Sequence, residues 1–123
     1  MKKTLLASLL CFSSLSAVAA NSLPEQIQQD YQQHLGALFT HFHQHPELSH
    51  METQTAKRLA KELRDAGFDV TEGVGKTGVV AMLKNGPGPL VMMRADMDGL
   101  PVEEKSGLAY ASKAKQTDWD GNE

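Results

Sequence analysis

Two segments of the chain repeat apolar residues at the spacing of an α-helix. In residues 24–44 they recur every three or four positions, which predicts one helix with a single apolar stripe. The stripe consists of Leu23, Ile27, Tyr31, Leu35, Leu38, Phe39 and Phe42. Gly36 weakens this helix without ending it. Pro46 stops it at His45, because a proline pushes the residue before it out of the helical region.

The second helical pattern is sharper and covers residues 56–66. Its apolar face consists of Ala56, Leu59, Ala60, Leu63 and Ala66, and the other face is charged. Gly67 is placed to end the helix, since glycine readily adopts the left-handed conformation that follows a last helical turn. A helix with one apolar face should pack on a sheet.

Three strand-like runs follow, at residues 68–71, 78–83 and 90–93. The Asn-Gly-Pro-Gly sequence of residues 85–88 predicts a turn between the second and third runs. These last two runs are almost wholly apolar, as in strands that are covered on both faces. The pattern therefore predicts an α/β fold with these strands inside a layered sheet, rather than an exposed hairpin.

The first twenty residues have the pattern of an export signal. Lys2 and Lys3 precede an uncharged run at 5–18, and small residues predict cleavage near Ala20. The run is shorter than the ~20 residues that a membrane-spanning helix needs. We therefore expect a periplasmic or secreted protein that is free of the membrane after cleavage. Cys11, the only cysteine, would leave with the signal, so no disulfide is expected.

The charge balance is acidic. The chain carries a net charge of −3, which becomes −5 once Lys2 and Lys3 are removed, with ten basic and fifteen acidic residues. Neither value favours nucleic acid or an anionic membrane as a partner.

Asp96 and Asp98 are the sharpest candidates for chemistry. They directly follow the apolar run at 90–93, and ligands of layered α/β folds bind at the carboxyl ends of strands. Two carboxylates there can orient metal-bound histidines or share a proton. The alternative is a turn that Asp side chains stabilise before Gly99. The adjacent Glu103 and Glu104 project differently, and we interpret both as surface charge.

All five histidines lie between His34 and His50. On a helix, His41 and His45 share a face while His43 points away. This spacing resembles half of a zinc site, but no carboxylate accompanies it, and a polar helix end is the alternative. Residues 73–78 lack the strand-to-helix glycine loop of dinucleotide sites, and no serine lies in a nucleophile elbow.

Several ordered segments together resemble a known family. They are Phe42-His43-Gln44-His45-Pro46-Glu47-Leu48-Ser49, Glu52, Thr55, Gly67-Phe68, Lys76-Thr77-Gly78-Val79-Val80, Arg94-Ala95-Asp96-Met97-Asp98-Gly99-Leu100-Pro101-Val102-Glu103-Glu104 and Tyr110-Ala111-Ser112. Their order and spacing resemble the metal-dependent amidohydrolases and peptidases related to hippurate hydrolase, N-acyl-amino-acid amidohydrolases and auxin-conjugate hydrolases.

The resemblance implies an α/β catalytic domain with two divalent ions, such as Zn or Mn, and a smaller inserted domain for dimerisation or as a lid. Such dimetal, exopeptidase-like enzymes cleave the amide of N-acyl or N-aminoacyl amino acids, with a glutamate that activates water. Residues 21–123 would form the incomplete N-terminal part of the catalytic domain. The resemblance also allows a homodimer of the intact enzyme.

The family's metal ligands begin in a Cys-Gly-His-Asp segment, which the resemblance places after Glu123. No catalytic residue or metal ligand therefore maps onto this chain, which is expected to be inactive alone. The resemblance implies that Asp98, and less directly Asp96, contacts and orients the metal ligands without binding a metal itself. The alternatives are a small exported protein that binds a metal or peptide through His41, His43 and His45, and a non-functional remnant.

Overall fold

A computed structural model describes residues 22–123. The predicted export signal, with Cys11 and the cleavage position near Ala20, lies outside these residues. The first predicted helix is continuous but not uniform: α1 spans Leu23–Asp30, a π-helix spans Tyr31–Leu35, and α2 spans Gly36–Gln44. Gly36 does not end the helix, as predicted. No helix within residues 22–123 is long and apolar enough to cross a membrane.

Helix α3 spans Thr53–Asp65 and ends in the way its sequence predicts. Gly67 has a φ of +89°, the left-handed conformation that glycine adopts without strain. The Gly67 N–H donates to the Arg64 carbonyl at 2.9 Å, and the Phe68 N–H donates to the Leu63 carbonyl at 3.0 Å. These two bonds form a Schellman motif, which satisfies carbonyls that the helix end leaves unpaired.

The best-buried part of the described chain is one face of α3 together with the residue directly before this helix. The buried residues among 22–123 are Glu52, Thr55, Ala56 and Ala60, and Ala60 is 0% exposed. Helix α3 contacts both strands of the sheet, so the predicted packing of this helix on a sheet is confirmed. The buried Glu52 carboxylate accepts a hydrogen bond from the Thr77 hydroxyl at 2.5 Å, which ties the start of α3 to the sheet.

The sheet is an antiparallel hairpin. Strand β1 spans Asp69–Val74 and strand β2 spans Gly78–Met82, with a bulge between Glu72 and Val74. The turn between them is tight, because a Cβ at Gly78 would lie 2.3 Å from the Val74 carbonyl oxygen. The helices and this small sheet form part of an α/β domain, as the sequence predicts.

The third predicted strand, at residues 90–93, is absent from the described chain. Its four side chains are 80–95% exposed, and within residues 22–123 the sheet contains only β1 and β2. A strand needs a neighbour to pair its backbone N–H and C=O groups, and no described segment supplies one. The prediction that residues 78–83 and 90–93 lie inside a larger layered sheet is likewise wrong for residues 22–123, because β2 belongs to a two-stranded hairpin that α3 contacts.

The segment after residue 93 is irregular and is held by side-chain contacts. The Trp119 indole N–H donates to the Ser49 carbonyl at 3.4 Å, and the Lys76 ammonium lies 4.9 Å from the centre of the indole ring. The Asp118 carboxylate accepts backbone hydrogen bonds from Asp120 and Asn122 at 2.9 and 2.8 Å. This end of the chain therefore folds back onto the hairpin turn.

Candidate functional site

The chain that leaves α2 lies beside the segment that carries the two aspartates. Pro46 ends the helix, with His45 at φ −128° and ψ 56°. Leu48 then forms a parallel bridge with Gly99, and the Gly99 N–H donates to the Glu47 carbonyl at 2.7 Å. Two segments far apart in the sequence thus meet directly after Asp98.

Gly99 is the point of closest approach between these two segments. A Cβ atom at Gly99 would lie 2.6 Å from the Pro46 Cβ, closer than side-chain carbons pack. A side chain at position 99 would push the two segments apart. The glycine after Asp98 is therefore required by packing and not by an unusual turn.

Glu104 is the centre of a polar cluster at the same place. Its carboxylate accepts a hydrogen bond from the Ser106 hydroxyl, lies 2.8 Å from the His43 Nε2, and accepts the Ser112 N–H at 2.5 Å. These contacts, led by the Ser106 hydroxyl and followed by His43 and the Ser112 N–H, lower the pKa of Glu104 to about 2. Glu104 is therefore ionised at neutral pH.

The partner imidazole of Glu104 is enclosed by aromatic rings. The His43 ring meets Tyr110 edge to face at a centroid separation of 5.1 Å, and Phe39 at 6.0 Å. Such contacts fix the plane of the imidazole and hold its Nε2 towards Glu104. The pair is part-buried and joins α2 to the segment after Asp98.

Two further hydrogen bonds close the far side of this cluster. The Ser112 hydroxyl donates to the Gln44 carbonyl at 3.2 Å, and the Leu48 N–H donates to the Gln116 side-chain oxygen at 2.8 Å. Between these contacts lies an open cleft. Its walls include Phe42, His43, Leu48, Leu100, Glu104 and Ser112. The lining of the cleft mixes apolar residues with charged ones, and among its carboxylates Glu104 has a pKa lowered to about 2.

Asp96 and Asp98 lie at the surface near this cleft. The Asp96 carboxylate is 2.5 Å from the Arg94 guanidinium, in an exposed pair. Asp98 is exposed and has no hydrogen bond or ion pair within residues 22–123. The structure does not join the two carboxylates to each other. The Asp98 carboxylate is therefore free to accept a hydrogen bond from a group outside these residues.

The histidines separate into two sets, as the helical spacing predicts. His41 and His45 stack at a centroid separation of 4.7 Å, whereas His43 faces Glu104. Within residues 22–123 no three His, Cys, Asp or Glu side chains are grouped closely enough to hold a metal ion. The described residues therefore do not fit the dimetal centre that the resemblance implies, and the three histidines do not form one site.

Glu104 is the residue that the sequence reasoning missed. Its interpretation as plain surface charge is wrong, whereas it fits Glu103, which is exposed and contacts only Lys105 at 3.4 Å. Two adjacent glutamates look alike in a sequence, but one points at the end of α2 and the other at solvent. The one available signal was the serine at position 106, which places a hydroxyl beside the carboxylate.

Comparison with curated proteins shows what these segments are similar to. The chain is 51% identical over 75 residues to thermostable carboxypeptidase 2 of Saccharolobus solfataricus. It is 46% identical over 76 residues to N-acetyl-L-cysteine deacetylase of Bacillus subtilis. It is also 42% identical over 94 residues to hippurate hydrolase of Campylobacter jejuni. These similarities support the amidohydrolase family for the matched residues.

The similarity covers much of this chain but little of each amidohydrolase relative. The three matches include 59%, 61% and 76% of the chain, and 19%, 18% and 24% of the respective relatives. No family model and no solved structure matches the chain. The family resemblance predicted from the sequence segments is thus confirmed by the curated amidohydrolases.

Proposed function

We propose that the protein containing this chain is an exported hydrolase that cleaves the amide bond of N-acyl amino acids. The observation that carries the proposal is the 42% identity over 94 residues to a protein named for the hydrolysis of hippurate. The 46% identity to an N-acetyl-L-cysteine deacetylase supports the same class of bond. Export, to the periplasm or out of the cell, rests on the residues before Ala20.

The chain would contribute the position and charge of one wall of the site. The Gly99 contact with Pro46 and the Glu104 contact with His43 fix the segment that starts at Asp98 on both of its sides. This leaves the exposed Asp98 carboxylate directed by a well-held backbone. We propose that Asp98 orients a group of the reaction centre by accepting its hydrogen bond, and that Asp96, paired with Arg94, has a weaker role.

Divalent metal ions belong to this proposal as a family expectation. Because the described residues hold no complete set of ligands, the chemistry of the ions is not assigned to them. The same holds for the inserted domain and for a homodimer. The 123-residue chain alone would then be inactive, and chelator-sensitive hydrolysis by it would contradict this part of the proposal.

The test is hydrolysis of hippurate and N-acetyl-L-cysteine by the full-length protein, measured as release of the free amino group with and without a chelator. Asp98→Asn should lower the rate about 10- to 100-fold, the usual effect of losing a carboxylate that orients a metal ligand. Asp69→Asn, at an exposed position of β1, is the matched control. No hydrolysis of either compound would reject the function, and equal rates for both variants would reject the role of Asp98.

A peptide substrate is the second candidate, because thermostable carboxypeptidase 2 has the higher identity of 51%. A dipeptide with a free amino terminus separates the two candidates. Faster release of its carboxyl-terminal residue than of glycine from hippurate would favour a carboxypeptidase. The reverse order would favour an N-acyl-amino-acid amidohydrolase.

A further inference from the structure

We infer that His41 and His45 form a surface site for one divalent transition-metal ion that prefers imidazole ligands, of the Ni²⁺ and Cu²⁺ class. The two rings lie one helical turn apart at the end of α2, with centroids 4.7 Å apart and planes at 30°. An ion bonded at about 2.1 Å to a ring nitrogen lies roughly 3 Å from the centre of that ring, so one ion can reach both rings. The stacked rings do not yet point at a common position, so the His41 ring must turn about its broad χ2 torsion to direct a nitrogen to the ion, while His45 keeps its present orientation.

The protonation of His45 is already arranged for metal binding. Its Nδ1 lies 2.8 Å from the His41 carbonyl oxygen, which can only accept, so the Nδ1 carries the proton. In the neutral ring the Nε2 then keeps its lone pair for a metal. Proteins commonly orient a histidine ligand by a hydrogen bond from the ring nitrogen that does not bind the metal to a backbone carbonyl.

The surroundings favour a weakly held, water-completed ion. Both imidazoles are exposed, and the carboxyl-terminal end of α2 carries a partial negative charge. No carboxylate is grouped with the pair within residues 22–123, so water supplies the remaining ligands. Lys113 lines the same shallow pocket as His45 and opposes a cation. The site therefore selects ions with a strong preference for nitrogen over hard, oxygen-seeking ions such as Mg²⁺ or Ca²⁺.

His43 is not part of this site, although it lies between the other two in the sequence. Its Nε2 is 2.8 Å from the Glu104 carboxylate, and its ring is packed against Tyr110. An ion bound by His41 and His45 therefore leaves the Glu104 cluster and the segment of Asp98 unchanged. This makes the metal site separable from the proposed hydrolytic function.

The experiment is a calorimetric titration of Ni²⁺ into the full-length protein and its variants. His41→Ala and His45→Ala each remove one ligand of the pair, and should weaken one equivalent of bound Ni²⁺ by a factor on the order of 10², because the two-ligand chelate is lost. His34→Ala is the matched control, since it removes a histidine that lies 2.6 Å from Glu62 instead. It should leave Ni²⁺ binding unchanged.

Hydrolysis of hippurate is measured on the same samples. His41→Ala should retain the full rate, so that failure of the metal site and failure of the proposed function give different results. Unchanged Ni²⁺ binding in either His41→Ala or His45→Ala would overturn the inference. An equal loss of binding in His34→Ala would also overturn it.

Discussion

His43 and Glu104 are 61 positions apart in the sequence, yet the His43 Nε2 and a Glu104 carboxylate oxygen are separated by 2.8 Å. The contact joins the end of α2 to the segment that follows Asp98. Glu104 also accepts hydrogen bonds from Ser106 and Ser112, so the carboxylate connects three places in the chain. The negative charge of Glu104 therefore helps to fix the position of these segments around the candidate site.

The first prediction concerns the pH dependence of this contact. The pKa of Glu104 is lowered from 4.5 to about 2, so the carboxylate stabilises the fold fully above pH 4.5 and loses that contribution as the pH falls towards 2. Glu104→Gln removes the charge at every pH. We expect the variant to unfold at a lower urea concentration than the wild type at pH 7, with a difference that shrinks below pH 4.5.

Glu103→Gln is the control for this prediction, because Glu103 is exposed and its ion pair with Lys105, at 3.4 Å, is exposed as well. Its free energy of unfolding should stay within about 0.5 kcal/mol of the wild-type value, as is usual for a surface substitution. Urea midpoints measured at intervals from pH 7 to pH 2 provide the comparison. A difference between Glu104→Gln and wild type that does not change with pH would show that the lost charge is not the cause.

A second prediction tests the close approach at Gly99. A Cβ in Gly99→Ala would lie 2.6 Å from the Pro46 Cβ, so the two segments must separate or distort. Overpacking of this kind typically costs about 1–3 kcal/mol. Gly88→Ala is the control, because nothing lies within 4 Å of a Cβ built there. Thermal unfolding should therefore distinguish the two variants, and equal midpoints would contradict the packing argument.

Local patterns predicted the helices because their causes are local. The end of α3 at Gly67 follows from one residue that tolerates a φ of +89°, and its buried side follows from the spacing of Ala56 and Ala60. The short π-helix at Tyr31–Leu35 has no such marker, since its distinguishing bond is a shift of one residue in the hydrogen-bond pattern. Sequence reasoning therefore found the helix but not its irregularity.

Contacts between distant segments were harder to predict. Residues 90–93 have the composition of a strand, but pairing depends on a neighbour that their own sequence does not specify. Glu104 and His43 were each noticed separately, and nothing in either segment indicates that they meet. The family resemblance recognised both segments without saying which atoms touch. The sequence therefore identified the segments that form the site, but it indicated neither the role of Glu104 nor its contact with His43.

A third prediction concerns the start of α3. The Glu47 carboxylate accepts the Gln54 N–H at 3.1 Å and the Thr55 N–H at 2.7 Å, and so satisfies two unpaired donors of the first helical turn. Glu47→Ala should lower the free energy of unfolding by about 0.5–2 kcal/mol, the usual loss for a helix cap. Circular dichroism during urea unfolding measures this loss.

Asp65→Asn provides the control at the other end of α3. Asp65 pairs only with the exposed Lys61 one turn earlier, and such surface pairs contribute about 0.5 kcal/mol or less. An effect of Glu47→Ala as small as that of Asp65→Asn would mean that the capping bonds add nothing to stability.

The last prediction concerns the exposed apolar residues 90–93. Val91 and Met93 are 80% and 95% exposed, so replacing both by lysine should remove no packing. The 123-residue chain carrying Val91→Lys and Met93→Lys should keep its thermal midpoint, because exposed side chains contribute little to stability. It should also remain monomeric at higher concentration, since an exposed apolar run with strand-like composition favours association. Light scattering against concentration measures this effect.

Gln32→Lys with Gln33→Lys is the control, because it adds the same charge without removing an apolar side chain. This control should improve solubility less than the Val91 and Met93 variant does. A lower thermal midpoint for the Val91 and Met93 variant alone would show that these side chains are covered in solution, and that residues 90–93 pair as the strand that their sequence predicts.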